Sequence, residues 1–345
     1  MTHIATPFET EGLEDYWHRR EASQAHTLSY NAYGLPVELR ANDPRLLKAA
    51  RLSSRRYSRC APLPDTLPLT LRMLVDEQLG APEVPADWAG PRHYQAVGPW
   101  LAIDGAPWLL ASADLERRTG LALVATTLAD QPSRLSRCTC DTLTLNAIMH
   151  TGLGLLHASC LSRDGTALLL CAEHNTGKST TALHLAMNGW GLLADGMTYV
   201  RVDGERLGLM GYPVGEAKLR FDMLGHFPQL TAMGQAVRVR EDTKMVFDLR
   251  QTFPGVVVEE AIWPERVVLC HMTRRGDTRS TAQPVGWEAL FPTIWSESTF
   301  VEPAEILRSS YDAMVALLTR ARCYELSLGT DVSSTLGLVD ALCRA

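Results

Sequence analysis

No run of apolar residues in this chain reaches the roughly 18 that a membrane-spanning helix needs. Met1 to Arg20 breaks its apolar positions with Glu, Asp, His and Arg, so no signal peptide is expected within it. Long Lys/Arg runs are absent too. With 33 Lys and Arg against 39 Asp and Glu, the net charge is -6. Such a chain is not expected to bind nucleic acid or a membrane surface broadly, although a local basic pocket for phosphates is not excluded. There is no internal repeat and no low-complexity tract. Cysteines at metal-ligand spacing are missing as well: Cys138-Thr139-Cys140 is too close a pair, with no second pair nearby, to read as a zinc site. The eight cysteines are scattered, several inside apolar runs such as Leu168-Leu169-Leu170-Cys171. That pattern suits buried thiols in a reduced compartment, and a cytoplasmic protein is the expectation.

What is present is an ordinary globular balance, 46% hydrophobic and 21% charged over 345 residues, enough for two domains. In the first part, Leu35 to Arg40 alternates like a short strand. Asp43-Pro44 then caps a helix running to about Ser53. Residues 61–68 and 80–91 are rich in proline and read as loops, and Leu69 to Leu79 has helical spacing. Trp100 to Ile103 and Trp108 to Leu110 flank Asp104-Gly105 as a hairpin, and Leu121 to Thr126 reads as another strand. Residues 1–135 are thus expected to form a smaller mixed α/β module of unknown role. The polar segment Ala129 to Arg137 is the expected divide.

The pattern changes from Asp141. Leu143 to Leu156 is expected as a helix, and strands are expected at about His157 to Cys160 and Ala167 to Cys171. A helix from Lys178 to Met187 follows a loop. Trp190 to Ala194 leads to Asp195. Met197 to Val202 and Leu207 to Met210 flank Asp203-Gly204, a second hairpin. A strand at about Arg266 to Met272, a helix at Pro303 to Arg320, a strand at Tyr324 to Leu328 and a closing helix complete the chain. Because the chain leaves Asp195 into antiparallel strands, the sheet of residues 136–345 is expected to be mixed rather than doubly wound and parallel.

The informative segment is Ala172-Glu173-His174-Asn175-Thr176-Gly177-Lys178-Ser179-Thr180. It matches the P-loop pattern G-x-x-x-x-G-K-[ST] between a strand and a helix, except that Ala172 replaces the first glycine. In such a loop Gly177 lets the backbone approach phosphate, and the loop and helix N–H groups face the anion. Lys178 reaches the β- and γ-phosphates, and Ser179 places its hydroxyl on Mg²⁺. Asn175 tolerates a left-handed conformation. Glu173, His174, Asn175, Thr176, Gly177, Lys178, Ser179 and Thr180 are therefore the expected nucleotide-binding residues, with ATP and Mg²⁺ as cofactors. Asp195 lies where a P-loop protein holds the metal or its water; its alternative is a turn aspartate before Gly196.

These residues resemble the HPr kinase/phosphorylase family and its looser relatives over about Leu155 to Leu224, with a weaker echo at Cys323 to Leu342. The elements are Leu156-His157-Ala158-Ser159, the loop with Lys178-Ser179-Thr180, Gly189 to Asp195, Gly211-Tyr212-Pro213 and Lys218-Leu219-Arg220. The resemblance implies a P-loop kinase domain related to ATP-dependent phosphoenolpyruvate carboxykinase. It also implies phosphoryl transfer to a hydroxyl, probably a serine hydroxyl, of a protein, peptide or small molecule. On it, His157 matches a histidine near the phosphates and Asp195 the first of two adjacent aspartates. Gly196 stands in place of the second, which puts the reverse phosphorylase reaction in doubt. Catalytic roles are expected for Asp195, His157 and Lys178, and Mg²⁺ contacts for Ser179 and Asp195. Lys218, Arg220 and Lys244 are candidates for substrate or phosphate contact, Lys244 from a mobile loop. The competing readings are a catalytically weak nucleotide-binding regulatory protein and a carboxykinase-like metabolic enzyme. Self-association is left open.

Overall fold

Alternating apolar and polar residues build the first sheet. The computed structural model describes residues 26–344 apart from 65, 89, 92, 231–232, 240–241, 275 and 300–303. It divides into two units, one holding residues up to 54 and 62–150, the other 55–61 and the residues from 151 on. The first unit carries β1 (His26–Ala32), β2 (Leu35–Ala41), α1 (Pro44–Ser54), β3 (Leu69–Val75), β4 (His93–Val97), β5 (Trp100–Gly105), β6 (Leu109–Asp114), β7 (Thr119–Val124) and α2 (Thr142–Met149). Its seven strands run in the order β1-β2-β3-β7-β6-β5-β4. β3 is parallel to both its neighbours, and the remaining pairs are antiparallel. At the start of α1 the Arg45 N–H donates to Asp43 Oδ1 at 2.8 Å, the expected cap.

Four local expectations change here. The helical spacing read at Leu69 to Leu79 is a strand over its first part: Leu69, Leu71 and Met73 are fully buried while Thr70 and Arg72 are half-buried. That is a period of two, and pairing to β2 and β7 fixes it. The β5–β6 hairpin forms, but Gly105 pairs with Leu109, so its turn lies at residues 106–108. The polar segment 129–137 is not a linker. It holds a short helix, Pro132–Leu135, and enters a π-helical turn, Ser136–Asp141, that continues into α2. Asp130 and Ser133 stay exposed, but Ser136, Thr139 and Asp141 of the π-helical turn are buried, and Ser53 Oγ donates to Asp141 Oδ1. The divide between the units therefore follows residue 150. Residues 150–153 also end the expected helix early, where Gly152 takes φ +82° before the next strand.

The second unit contains β8 (Gly154–Leu156), β9 (Ala158–Arg163), β10 (Thr166–Ala172), α3 (Lys178–Met187), β11 (Gly191–Ala194), β12 (Met197–Asp203), β13 (Arg206–Tyr212), β14 (Glu216–Arg220), β15 (Gln235–Val239) and β16 (Asp242–Asp248). After these come β17 (Arg266–Arg274), β18 (Thr281–Pro284), α4 (Trp287–Ser298), α5 (Ala304–Leu318), β19 (Ala321–Leu328) and α6 (Val332–Arg344). A six-stranded sheet has the order β11-β9-β10-β17-β19-β18; β10, β17 and β19 are parallel and the outer pairs antiparallel. The sheet is mixed as expected, but for another reason. The hairpin after Asp195, β12–β13, belongs to a separate sheet with β8, and β14-β16-β15 form a third.

β10 is buried at every position. Leu168, Leu170 and Ala172 pack with Ala182, Leu183 and Ala186 of α3. Ala167, Leu169 and Cys171 point to the other side, with Leu290 and Ile294 of α4 and Met314 and Leu317 of α5. Each buried leucine contributes about 1.5–3 kcal/mol. Seven of the eight cysteines are buried and Cys60 is half-buried. Among the described residues no helix is long and apolar enough to cross a membrane.

β13 lies close against β11 at Gly211, where an added Cβ would stand 2.1 Å from the Leu193 carbonyl oxygen and 2.9 Å from the Ala194 Cβ. Gly211→Ala is expected to destabilise the protein by about 3 kcal/mol, the upper end for overpacking, because backbone must move. Gly225→Ala, with nothing within 4 Å, is the control and should stay within about 0.5 kcal/mol. Denaturant midpoints of the two variants check this.

Candidate functional site

β10 ends at Ala172, which is 1% exposed, so the residue that replaces the first glycine of the pattern sits in the strand and its methyl group packs in the core. The loop then turns through two left-handed residues, Asn175 at φ 65° and Gly177 at φ 119°. Asn is among the few side chains that adopt this region readily. At Gly177 an added Cβ would meet only ordinary contacts at 3.4 Å or more. The backbone angle, not space, calls for glycine there. Thr181 N–H donates to Gly177 O at 2.9 Å and starts the α3 ladder.

Lys178, the first residue of α3, folds back so that Nζ lies 2.8 Å from His157 Nε2 and 3.5 Å from His157 O. An ammonium only donates, so His157 Nε2 accepts and its ring proton belongs on Nδ1. Burial pushes the Lys178 ammonium below its ordinary pKa, and the negative charges of Asp195 and Glu297 oppose that shift. His157 lies between β8 and β9 rather than on a strand. His174, exposed on the loop, faces it with ring centroids 5.6 Å apart.

Asp195 follows β11 and is buried, with Oδ1 accepting from Ser159 Oγ at 2.9 Å and Oδ2 from the Lys218 N–H at 3.3 Å. Two donors thus lock its carboxylate. Gly196 adopts φ +135°, a conformation that disfavours any side chain, so a second acid at that position would strain the backbone.

These groups border one cavity of about 790 Å³, within the range that holds small molecules. Of the loop, Glu173, His174, Asn175, Gly177, Lys178, Ser179 and Thr180 line it. Thr176 does not; its carbonyl accepts from Arg274 Nε at 2.7 Å. His157 and Asp195 line it as well, and so do Lys218, Arg220 and Lys244. Lys244 is not on a loop. It lies in β16 directly opposite Arg220 of β14. Ala217, Leu219, Met245 and Phe247 turn into the core, so Lys218, Arg220 and Lys244 share the other face. Arg220 pairs with Asp222 at 3.1 Å.

Sequence reasoning missed Arg274, at the end of β17, and Glu297, on α4; both border the cavity. Neither lies near a motif in sequence. Only the parallel pairing of β17 with β10, and the packing of α4 under β10, bring them in.

No protein-family model matches the chain, and no curated protein matches it. Among solved structures the chain is similar to the HPr(Ser) kinase/phosphatase from Coxiella burnetii, at 12% identity, over 55% of this chain and 95% of that one, with a TM-score of 0.29. A likeness of that size adds no weight, and the reading of the site rests on its residues.

The φ of Gly196 sets a direct test. Nothing lies within 4 Å of an added Cβ, so any cost is conformational. Gly196→Asp is expected to lower stability by about 1–3 kcal/mol, read as a fall in the unfolding midpoint without ligand. An unchanged midpoint would show that the backbone relaxes freely.

Proposed function

We propose that this chain transfers a phosphoryl group from ATP to a hydroxyl, of serine type, on a protein, peptide or small molecule. The observation that carries the reading is the strand–loop–helix with Lys178 drawn by His157 to the edge of a cavity that the loop, Asp195 and a cationic face also border. On this reading the loop amides and the start of α3 hold the phosphates, where the helix dipole adds partial positive charge. Lys178 neutralises the transferred group, and Lys218, Lys244 and Arg274 extend the positive field. His157 orients Lys178. It does not serve as a base in this arrangement, because Nε2 accepts from the ammonium.

The donor set suits Mg²⁺, which takes one or two protein oxygens and completes its shell with phosphate and water. Ser179 and Asp195 border the same cavity and would hold it. Bound there, Mg²⁺ would neutralise developing charge on the phosphates. Sites of this type work by positioning and charge neutralisation. A second reading, a nucleotide-binding regulatory protein with little turnover, draws on the single acid at 195, both of whose oxygens already have protein donors. A folded wild type that binds MgATP and forms no ADP would favour it.

Lys178→Met should weaken MgATP binding by about 1.5–3 kcal/mol, roughly ten- to hundredfold in Kd, the worth of a hydrogen bond to a charged group. Calorimetry reads it. The apo protein should not lose stability. Since folding lowers the Lys178 pKa, the unfolded chain binds the extra proton more readily, and the charged lysine opposes folding at neutral pH and progressively less as pH rises towards its ordinary value. Equal MgATP affinity in the two proteins would sink the assignment of the loop.

Asp195→Asn keeps one acceptor oxygen and the loop, so MgATP should still bind. Transfer should fall at least about 10–100-fold, with the Mg²⁺ requirement moved to higher concentration. Titrating ADP formation with Mg²⁺ checks this, and an unshifted titration would remove Asp195 from the metal site.

A further inference from the structure

α4 delivers a carboxylate to this cavity. Glu297 lies in the last turn of the helix, whose end carries partial negative charge. Its side chain is 13% exposed and borders the cavity. Both carboxylate oxygens are shielded from solvent and, among the described residues, neither has a hydrogen-bond partner. His271 Nε2 lies at 3.7 Å, beyond hydrogen-bonding distance, and is likewise without a hydrogen-bond partner among the described residues; the Lys178 ammonium acts on Glu297 only through the field. Burying a carboxylate that makes no hydrogen bond is costly. The backbone around it is nevertheless held in place: the next residue, Ser298, is buried, and its Oγ accepts from the His157 N–H at 3.0 Å. Glu297 is thereby tethered to the histidine that holds Lys178.

Three other groups of the site are already engaged, while the remaining acid of the loop, Glu173, is exposed to solvent. Asp195 accepts two hydrogen bonds, His157 Nε2 accepts one from Lys178, and Asp222 is paired with Arg220. Position 196 admits no second acid without strain.

We infer that Glu297 is a further catalytic residue, the group that accepts the proton of the attacking hydroxyl. The inference rests on the phosphoryl-transfer reading. A turn about the last side-chain torsion, which is broad for a carboxylate, presents an oxygen to the cavity, and the acceptor hydroxyl supplies the hydrogen bond that Glu297 lacks. In the step the acceptor O–H bond breaks and its proton passes to Glu297 Oε. The acceptor oxygen bonds to the γ-phosphorus. The bond from that phosphorus to the β–γ bridging oxygen breaks, and ADP leaves with the electron pair. Asp195 is then left to hold the metal, and no single acid has to do both.

Full-length wild type, E297Q and E297D are tested with MgATP, water serving as acceptor. ADP formation gives the rate and calorimetry the MgATP affinity. E297Q should bind MgATP as wild type does and lose about 10²–10⁴ in turnover. E297D, which keeps the charge but draws it back by one methylene, should fold and fall between the two; it carries the test if E297Q does not fold. An active wild type matched by an equally active E297Q, or by an equally active E297D where E297Q does not fold, overturns this inference and leaves the phosphoryl-transfer reading standing. So does a variant that loses affinity and rate in proportion. A wild type that binds MgATP and forms no ADP overturns both.

Discussion

β10 is packed on both faces at once. One face of the strand closes the core under α3, and the other closes the core under α4 and α5. A strand in that position can neither slide by one residue nor tilt, because a slip would exchange every leucine between two different cores. Its C-terminal end is therefore a fixed point, and the loop leaves from it. The same pinning brings β17 alongside, so that Arg274 reaches the Thr176 carbonyl. It also seats α4 beneath the sheet with its last turn beside His157.

The cavity that results is a balance of charges rather than a cluster of one sign. Lys178 is held by a neutral imidazole, which donates no competing charge, and is opposed by two acids from different elements. Lys218, Arg220 and Lys244 line up on one sheet face because strand alternation sends their neighbours inward. Here the period of two, which serves folding elsewhere, sorts side chains for the site.

Much of the second unit was legible in the sequence because its signals are local. The strand–loop–helix, the left-handed Asn175 and the hairpin at Asp203-Gly204 each depend on residues within a few positions of one another. What was not legible depends on pairing across long separations. The residues Leu69 to Val75 carry leucines at both helical and strand spacing, and only neighbours from two other segments decide between them. The polarity of 129–137 suggested a divide, but the segment is helical and runs into a turn whose Asp141 accepts from Ser53 inside the first unit. For Lys244, nothing in its own neighbourhood announced a strand; its pairing with Arg220 does. Glu297 had no motif at all. Its importance lies in what surrounds it, which a linear reading does not contain.

Residues 55–61 belong to the second unit although the chain returns to the first for nearly ninety residues afterwards. Arg59 exchanges backbone hydrogen bonds with Glu259 and Ala261, Arg56 O accepts from the Val214 N–H, its guanidinium pairs with Glu216, and Ser58 Oγ accepts from the Gly211 N–H. The second unit is thus not a contiguous stretch of gene. A shortened chain beginning after the first unit would leave those donors and acceptors facing nothing. During synthesis, too, the segment 55–61 must wait about 150 to 200 residues for its partners. The chain is stitched rather than strung, and its two parts cannot be exchanged or inherited separately by a single cut.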